Sequence, residues 1–198
     1  YGLERLEQIA DTLIVVPNDK LLELAPELPI QTAFKVADEI LTNSVKGIAE
    51  LITSAGLVNL DFADVKAVMS DGGVSLIGIG ESDSAQNRAS EAVERAIHNP
   101  LLDVNIESAK GALVNVIGGP DMSLDEYREI MEKISTKVSP DAKIISGAKI
   151  SPDMDKNIKV LLIVTGVKSP QILGSSSSYK TKENTDLGSE LGINFMGE

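Results

Sequence analysis

The stretch from Leu28 to Val68 constrains this chain more than any other part of it. Apolar Phe34, Ala37, Leu41, Val45, Ile48 and Ile52 recur every three or four residues, the stripe of a helix with one buried face, and strand alternation fails over the same span. Pro29 sits where a first helical turn tolerates proline, Thr32 is a candidate cap, and Ala55-Gly56 supplies a stop. A helix from about Thr32 to Ser54 would be roughly 35 Å long, enough to cross a small domain and join it to another.

Past the stop comes Gly56-Leu57-Val58-Asn59-Leu60-Asp61-Phe62-Ala63-Asp64, a turn with three acid or amide side chains. Asn59 and Asp61 are good helix caps, and Asp61 stands three residues before Asp64 at the head of an apolar run. One reading is a second, well-capped helix over Phe62 to Met69, since carboxylates in a first turn suit the helix dipole. The other is an exposed loop tip, its Gly-Leu-Val lead-in anchoring two projecting carboxylates. Spacing alone leaves both open.

Several segments together resemble the FtsZ family of tubulin-like division GTPases. They are Val16-Pro17-Asn18-Asp19-Lys20-Leu21, Ala33 to Leu41, Gly56 to Val65, and Gly72-Gly73-Val74-Ser75-Leu76-Ile77-Gly78-Ile79-Gly80, in that order. The likeness covers about Tyr1 to Gly174, and its wording is closer to archaeal than to bacterial members. The family's nucleotide-binding half, with its Gly-rich phosphate loop, would be expected before Tyr1, so the chain resembles a C-terminal portion.

The resemblance implies an active site shared between two subunits of a homopolymer. One subunit holds GTP; its neighbour inserts the acidic loop against the γ-phosphate. Asp61 and Asp64 would then be catalytic, positioning the attacking water, with Asn59 holding the loop or the water. Carboxylates are weak bases at neutral pH, so positioning is implied rather than strong general-base action. Mg2+ is the implied cation, with its ligands outside this chain, and no metal site is expected within it.

For the guanine base, the resemblance implies contacts from Asn18, Phe34 and Asp38. Phe34 and Asp38 are i and i+4 on the long helix and so can reach one ligand. A phenyl ring stacks on a purine, and a carboxylate accepts from the N1 and N2 donors that guanine has and adenine lacks. From the residues alone, Asn18 reads rather as a turn asparagine after proline, Phe34 as ordinary core, and Asp38 as a solvated or salt-bridged helix face.

The remaining segments read as an α/β sandwich. Tyr1 to Ala10 has helical spacing, and Thr12 to Val16 is a continuous apolar run, the mark of a strand buried on both faces that would be left without partners if its sheet lay elsewhere. Val74 to Gly80 is a strand and Ala85 to His98 a helix entered through Ser82-Asp83-Ser84; His98, the one histidine, falls at its C-terminus. Gly78-Ile79-Gly80 is not a dinucleotide fingerprint, because the third glycine is missing and Glu81 and Asp83 would repel a pyrophosphate. A strand over Gly111 to Gly119 precedes a helix opened by a Ser123/Glu126 capping box, and strands at Lys143 to Ala148 and Lys159 to Thr165 close the domain. This order predicts a four-stranded mixed sheet with helices on one face, joined to the long central helix.

The expected parts are 1–31, a remnant of the GTP-binding domain; 32–55, the central helix; 56–70, the acidic loop and following helix; 71–173, the α/β domain; and 174–190, a Ser-rich flexible linker. The terminal 191–198 restores apolar Leu191, Ile193, Phe195 and Met196, which reads as a frayed end or, by the resemblance, as a peptide that docks a membrane-anchor protein.

Composition narrows the alternatives. Of the 198 residues 42% are apolar, enough for a sizeable core built from Ile, Val and Leu. The absence of cysteine excludes disulfides and thiol nucleophiles and agrees with a reducing compartment. A net charge of -12 without clustered Lys and Arg argues against nucleic acid. With no long apolar run and no signal peptide, a soluble, cytoplasmic protein acting at the division site is expected, without membrane insertion. A chain of this kind could equally be a non-catalytic module that occupies a filament end, or a scaffold domain.

Overall fold

The computed structural model describes residues 2–16, 29–53, 57–58, 61–70, 72–102 and 106–167. Among these residues, five α-helices, α1 (Gly2–Glu7), α2 (Ile30–Thr53), α3 (Phe62–Met69), α4 (Arg88–Ile97) and α5 (Leu124–Lys137), accompany five strands: β1 (Thr12–Ile14), β2 (Gly73–Ser82), β3 (Gly111–Gly118), β4 (Lys143–Ile150) and β5 (Ile158–Thr165). The strands form one mixed sheet in the order β1-β2-β5-β3-β4. β1 runs parallel to β2 and β3 to β4, whereas β5 is antiparallel to both its neighbours.

The strand order follows from the side chains. β5 reads Ile-Lys-Val-Leu-Leu-Ile-Val-Thr and is buried at every position except Lys159, as suits a central strand covered on both faces. On one face, Ile77, Leu113, Ile145, Leu161 and Ile163 pack with Val65 and Val68 of α3, and with Ile40, Ile48 and Ile52 of α2 at the margin. On the other, buried Ala92, Val93 and Ala96 of α4 and Ile130 and Ile134 of α5 cover Leu76, Val114, Val116, Val160 and Leu162. The four predicted strands and their two covering helices are therefore present, with the central helix and α3 on the opposite face.

Three expectations are corrected. β1 is not left without partners: Thr12, Leu13 and Ile14 pair with Gly73, Val74 and Ser75, making a fifth strand. Thr32 is not the cap of the long helix, which begins at Ile30, and the Thr32 amide donates to the Pro29 carbonyl at 2.8 Å. The helix after β2 starts at Arg88 rather than Ala85. Ser82 instead braces the turn before it, accepting from the Ser84 amide at 3.2 Å and donating to Glu91 Oε2 at 2.8 Å.

Gly78 and Gly80 have a packing role. A Cβ at Gly78 would stand 2.1 Å from the Ala96 carbonyl oxygen, and one at Gly80 would stand 2.0 Å from that of Ala92. Only glycine lets the α4 backbone lie directly on β2. At the far end of α4, Arg88 reaches across to α5, with Nε 2.6 Å from Glu126 Oε1, Nη2 3.0 Å from Glu126 Oε2 and Nη1 2.5 Å from Asp121 Oδ2. This bidentate pairing ties the starts of the two helices together.

Candidate functional site

The acidic segment is built on α3. The capped helix of the first reading is present; Gly56, Asn59 and Leu60 of the loop tip lie outside the described residues. Asp61 is the N-cap: its Oδ1 accepts from the Asp64 amide at 2.9 Å, while Asp64 Oδ2 accepts from the Asp61 amide at 3.3 Å, a reciprocal capping box. Yet both side chains are exposed. One oxygen of each carboxylate is committed to the cap, and the pair stands at the positive end of a helix dipole.

α3 is fixed at both ends. Val65 and Val68 are buried against the sheet. At its C-terminus, the hydroxyl of Thr165 donates to the Val68 carbonyl at 3.3 Å and that of Thr12 to the Met69 carbonyl, so two sheet threonines satisfy carbonyls that a helix end leaves open. Before its N-terminus, the Leu57 amide donates to the Ala148 carbonyl at 2.8 Å, and the Ala148 amide to that of Val58 at 3.4 Å. This bridge corrects the expectation that Leu57 and Val58 are apolar anchors. Their backbones hold the segment, and their side chains are 68% and 40% exposed, beside Phe62 at 65%. The two carboxylates thus have exposed apolar side chains as near neighbours in sequence.

On α2, Phe34 and Asp38 are both exposed and share a face with Leu41 and Val45. The buried side is carried by Ser44 and Gly47, flanked by Ile40 and Ile48, roughly a quarter turn from the centre of the predicted stripe. Phe34, Leu41 and Val45 are not core here. Asn18, Asn59, Leu191, Ile193, Phe195 and Met196 lie outside the described residues.

Between α2 and the sheet lies an open cleft of about 390 Å3, lined among others by Lys46, Gly47, Glu50, Asn115, Lys159 and Leu161. Two polar contacts that sequence reasoning missed cross this junction. Buried Asn115 of β3 donates to the Gly47 carbonyl at 3.1 Å, and Lys149 of β4 pairs with Glu50 at 3.3 Å. A polar Asn115 inside an otherwise apolar buried strand was the visible signal for the first; nothing local signals the second. Among the described residues, no three His, Asp or Glu side chains converge as a metal cage, and no helix is long and apolar enough to cross a membrane.

Residues 73–168 match the model of the FtsZ family, C-terminal domain. The chain is 59% identical over 195 residues to cell division protein FtsZ 1 of Archaeoglobus fulgidus, covering 98% of this chain and 51% of that protein. To its counterpart in Pyrococcus abyssi it is 60% identical over 172 residues, 87% of this chain and 46% of that one. Among solved structures, the empty FtsZ dimer of M. jannaschii aligns with a TM-score of 0.80 at 54% identity, over 84% of this chain and 48% of that one. The GDP-bound CetZ1 monomer of Haloferax volcanii shares the fold alone, at 19% identity over 80% of this chain and 46% of that one, with a TM-score of 0.64. The chain spans about half the length of the curated relatives it matches.

Proposed function

The chain belongs to the FtsZ family, with the C-terminal domain at residues 73–168, and from that premise we propose that it supplies the acidic segment that triggers GTP hydrolysis in a neighbouring subunit. The observation that carries this reading is the placement of Asp61 and Asp64. Two exposed carboxylates share the N-terminus of one helix, and Leu57, Val58 and Phe62, close by in sequence, are exposed as well. A solvated cap needs no exposed apolar neighbours, whereas a segment that docks against another subunit uses them.

In this role each carboxylate keeps one oxygen in the cap and turns the other toward water bound in the partner's pocket. Phosphoryl transfer depends mainly on positioning and charge placement, which a rigid pair of acceptors provides. Asn59 holds the segment or the water. Phe34 and Asp38, adjacent on the exposed face of α2, form one wall of a base site that the other half of the protein completes, with Asn18 beside it. Mg2+, bound there, would offset charge on the phosphates, with ligands from the other half. Leu41 and Val45 continue the same exposed face and are the surface that this half covers. The protein then works as a cytoplasmic homopolymer at the division site, tethered through Leu191, Ile193, Phe195 and Met196 to a membrane-anchor protein. Deleting residues 191–198 should abolish anchor binding and spare assembly.

The test is to titrate this chain into a separately made GTP-binding half of an archaeal FtsZ and follow phosphate release, with Asp61→Ala and Asp64→Ala in parallel. Release should rise with the native chain and stay at the basal rate with either variant. Association without any stimulation would favour a filament-end-binding or scaffold module.

A further inference from the structure

We propose that the Lys149–Glu50 ion pair is a positioning contact that fixes the last turn of α2 relative to Leu57 and Val58, the described residues that lead into Asp61 and Asp64, an inference that rests on the acidic-segment reading above. Lys149 Nζ lies 3.3 Å from Glu50 Oε1, and the two side chains are only 30% and 21% exposed. Glu50 belongs to the last turn of α2, and Lys149 follows Ala148 in β4. Ala148 is the residue that grips Leu57 and Val58 through the backbone. Consecutive residues of one strand therefore hold two points of the chain, Lys149 the last turn of α2 and Ala148 the backbone of Leu57 and Val58.

Neighbouring Cα atoms are about 3.8 Å apart, so both are referenced to almost the same point of β4. That strand pairs with β3 along its whole length, which gives the reference rigidity. The two grips differ in kind. The Ala148 grip is made of backbone hydrogen bonds that any side chain permits, whereas the Lys149 grip depends on two particular charges. Elsewhere α2 meets the sheet through Ile40, Ile48 and Ile52, whose apolar contacts are non-directional, and through Asn115 at Gly47. Among the described residues, Lys149–Glu50 is thus the directional contact between α2 and the sheet that stands closest in sequence to Leu57. Lys159 of β5 lines the same cleft, as does Lys46 of α2 itself, so without Lys149 the Glu50 carboxylate turns to Lys159 and takes the last turn of α2 with it.

The experiment measures backbone amide exchange by NMR on this chain and phosphate release with the GTP-binding half, using Lys149→Met, Glu50→Gln and Lys149→Arg. Both neutral variants should speed exchange at the Leu57 and Val58 amides by about tenfold and lower turnover at saturating chain by a similar factor, since small misplacements of a reacting group are costly. The concentration giving half-stimulation should hold, β3 and β5 amides should stay protected, and Lys149→Arg should restore both readouts. Unchanged exchange at Leu57 and Val58 overturns the proposal, and so does loss of protection throughout the sheet, which would make the pair merely structural. Asp61→Asn separates the two readings. If it turns over like the native chain, the acidic-segment reading fails; if it is inactive while Lys149→Met is fully active, the positioning proposal alone fails.

Discussion

Asp61 and Asp64 hold each other's backbone: Asp61 Oδ1 accepts from the Asp64 amide at 2.9 Å and Asp64 Oδ2 from the Asp61 amide at 3.3 Å. The same two side chains cap a helix and, in the proposed role, act at a neighbour's phosphate through their other oxygens, and amide substitutions separate the two demands. Asparagine caps a helix about as well as aspartate, whereas alanine cannot, at a cost of about 1 kcal/mol. Asp61→Asn should therefore unfold in urea within a few tenths of a kcal/mol of the native chain and still fail to stimulate GTP hydrolysis. Asp61→Ala should lose both. An Asp61→Asn variant with native stimulation would reduce the residue to a cap.

The C-terminal seat of α3 is testable in isolation. Thr165 is buried, and its hydroxyl donates to the Val68 carbonyl. Thr165→Val keeps the volume and leaves that carbonyl without its donor, for an expected loss of about 1–3 kcal/mol in urea unfolding, which Thr165→Ser should largely restore. Equal losses from the two variants would assign the effect to packing.

What could be read from the sequence was local. The boxes at Asp61/Asp64 and Ser123/Glu126 were legible because both partners lie three residues apart, and both formed as expected. The strands were legible from runs such as Val160 to Val164. Which arc of α2 faces the sheet was not, because Phe34, Leu41 and Val45 are as apolar as Ile40 and Ile48. Composition cannot say which side a distant sheet will cover. Glu50–Lys149 and Arg88–Glu126 join residues far apart in sequence and leave no pattern to find. The glycines at 78 and 80 stand out in the sequence, but their purpose needed the position of the α4 backbone.

That purpose gives a further prediction. The atoms a Gly80 side chain would strike belong to the α4 backbone, at Ala92 O and Ala96 N, and not to a side chain that could swing aside. Gly80→Ala must lift α4 from β2, and overpacking of this sort costs about 1–3 kcal/mol or more. Thermal unfolding should show a clear drop in Tm. Alanine at Gly2, which has nothing within 4 Å, should leave Tm where it was.

The Arg88 cluster sets an acid limit on stability. Hydrogen bonding to Arg88, then to Ser123, holds the Glu126 carboxyl below its usual 4.5, and Arg88 likewise holds Asp121 below 3.8. In return the two carboxylates raise the already high pKa of Arg88, so it stays charged throughout. A carboxyl whose pKa is lower in the folded state stabilises the fold above its unfolded value and loses that contribution as pH falls through the folded one. Stability from this cluster should therefore be complete at neutral pH and fade below about 4.5. Glu126→Gln should unfold more easily in urea at pH 7, by about 1–3 kcal/mol, because it weakens the charged pairing of an Arg88 side chain that is only 11% exposed. Its disadvantage should shrink as pH falls below about 4.5, where the unfolded carboxyl takes up a proton that the native one resists. A constant gap from pH 7 to pH 3 would mean that Glu126 acts through the Ser123 cap alone, and that the Arg88 pairing adds nothing to the joint between α4 and α5.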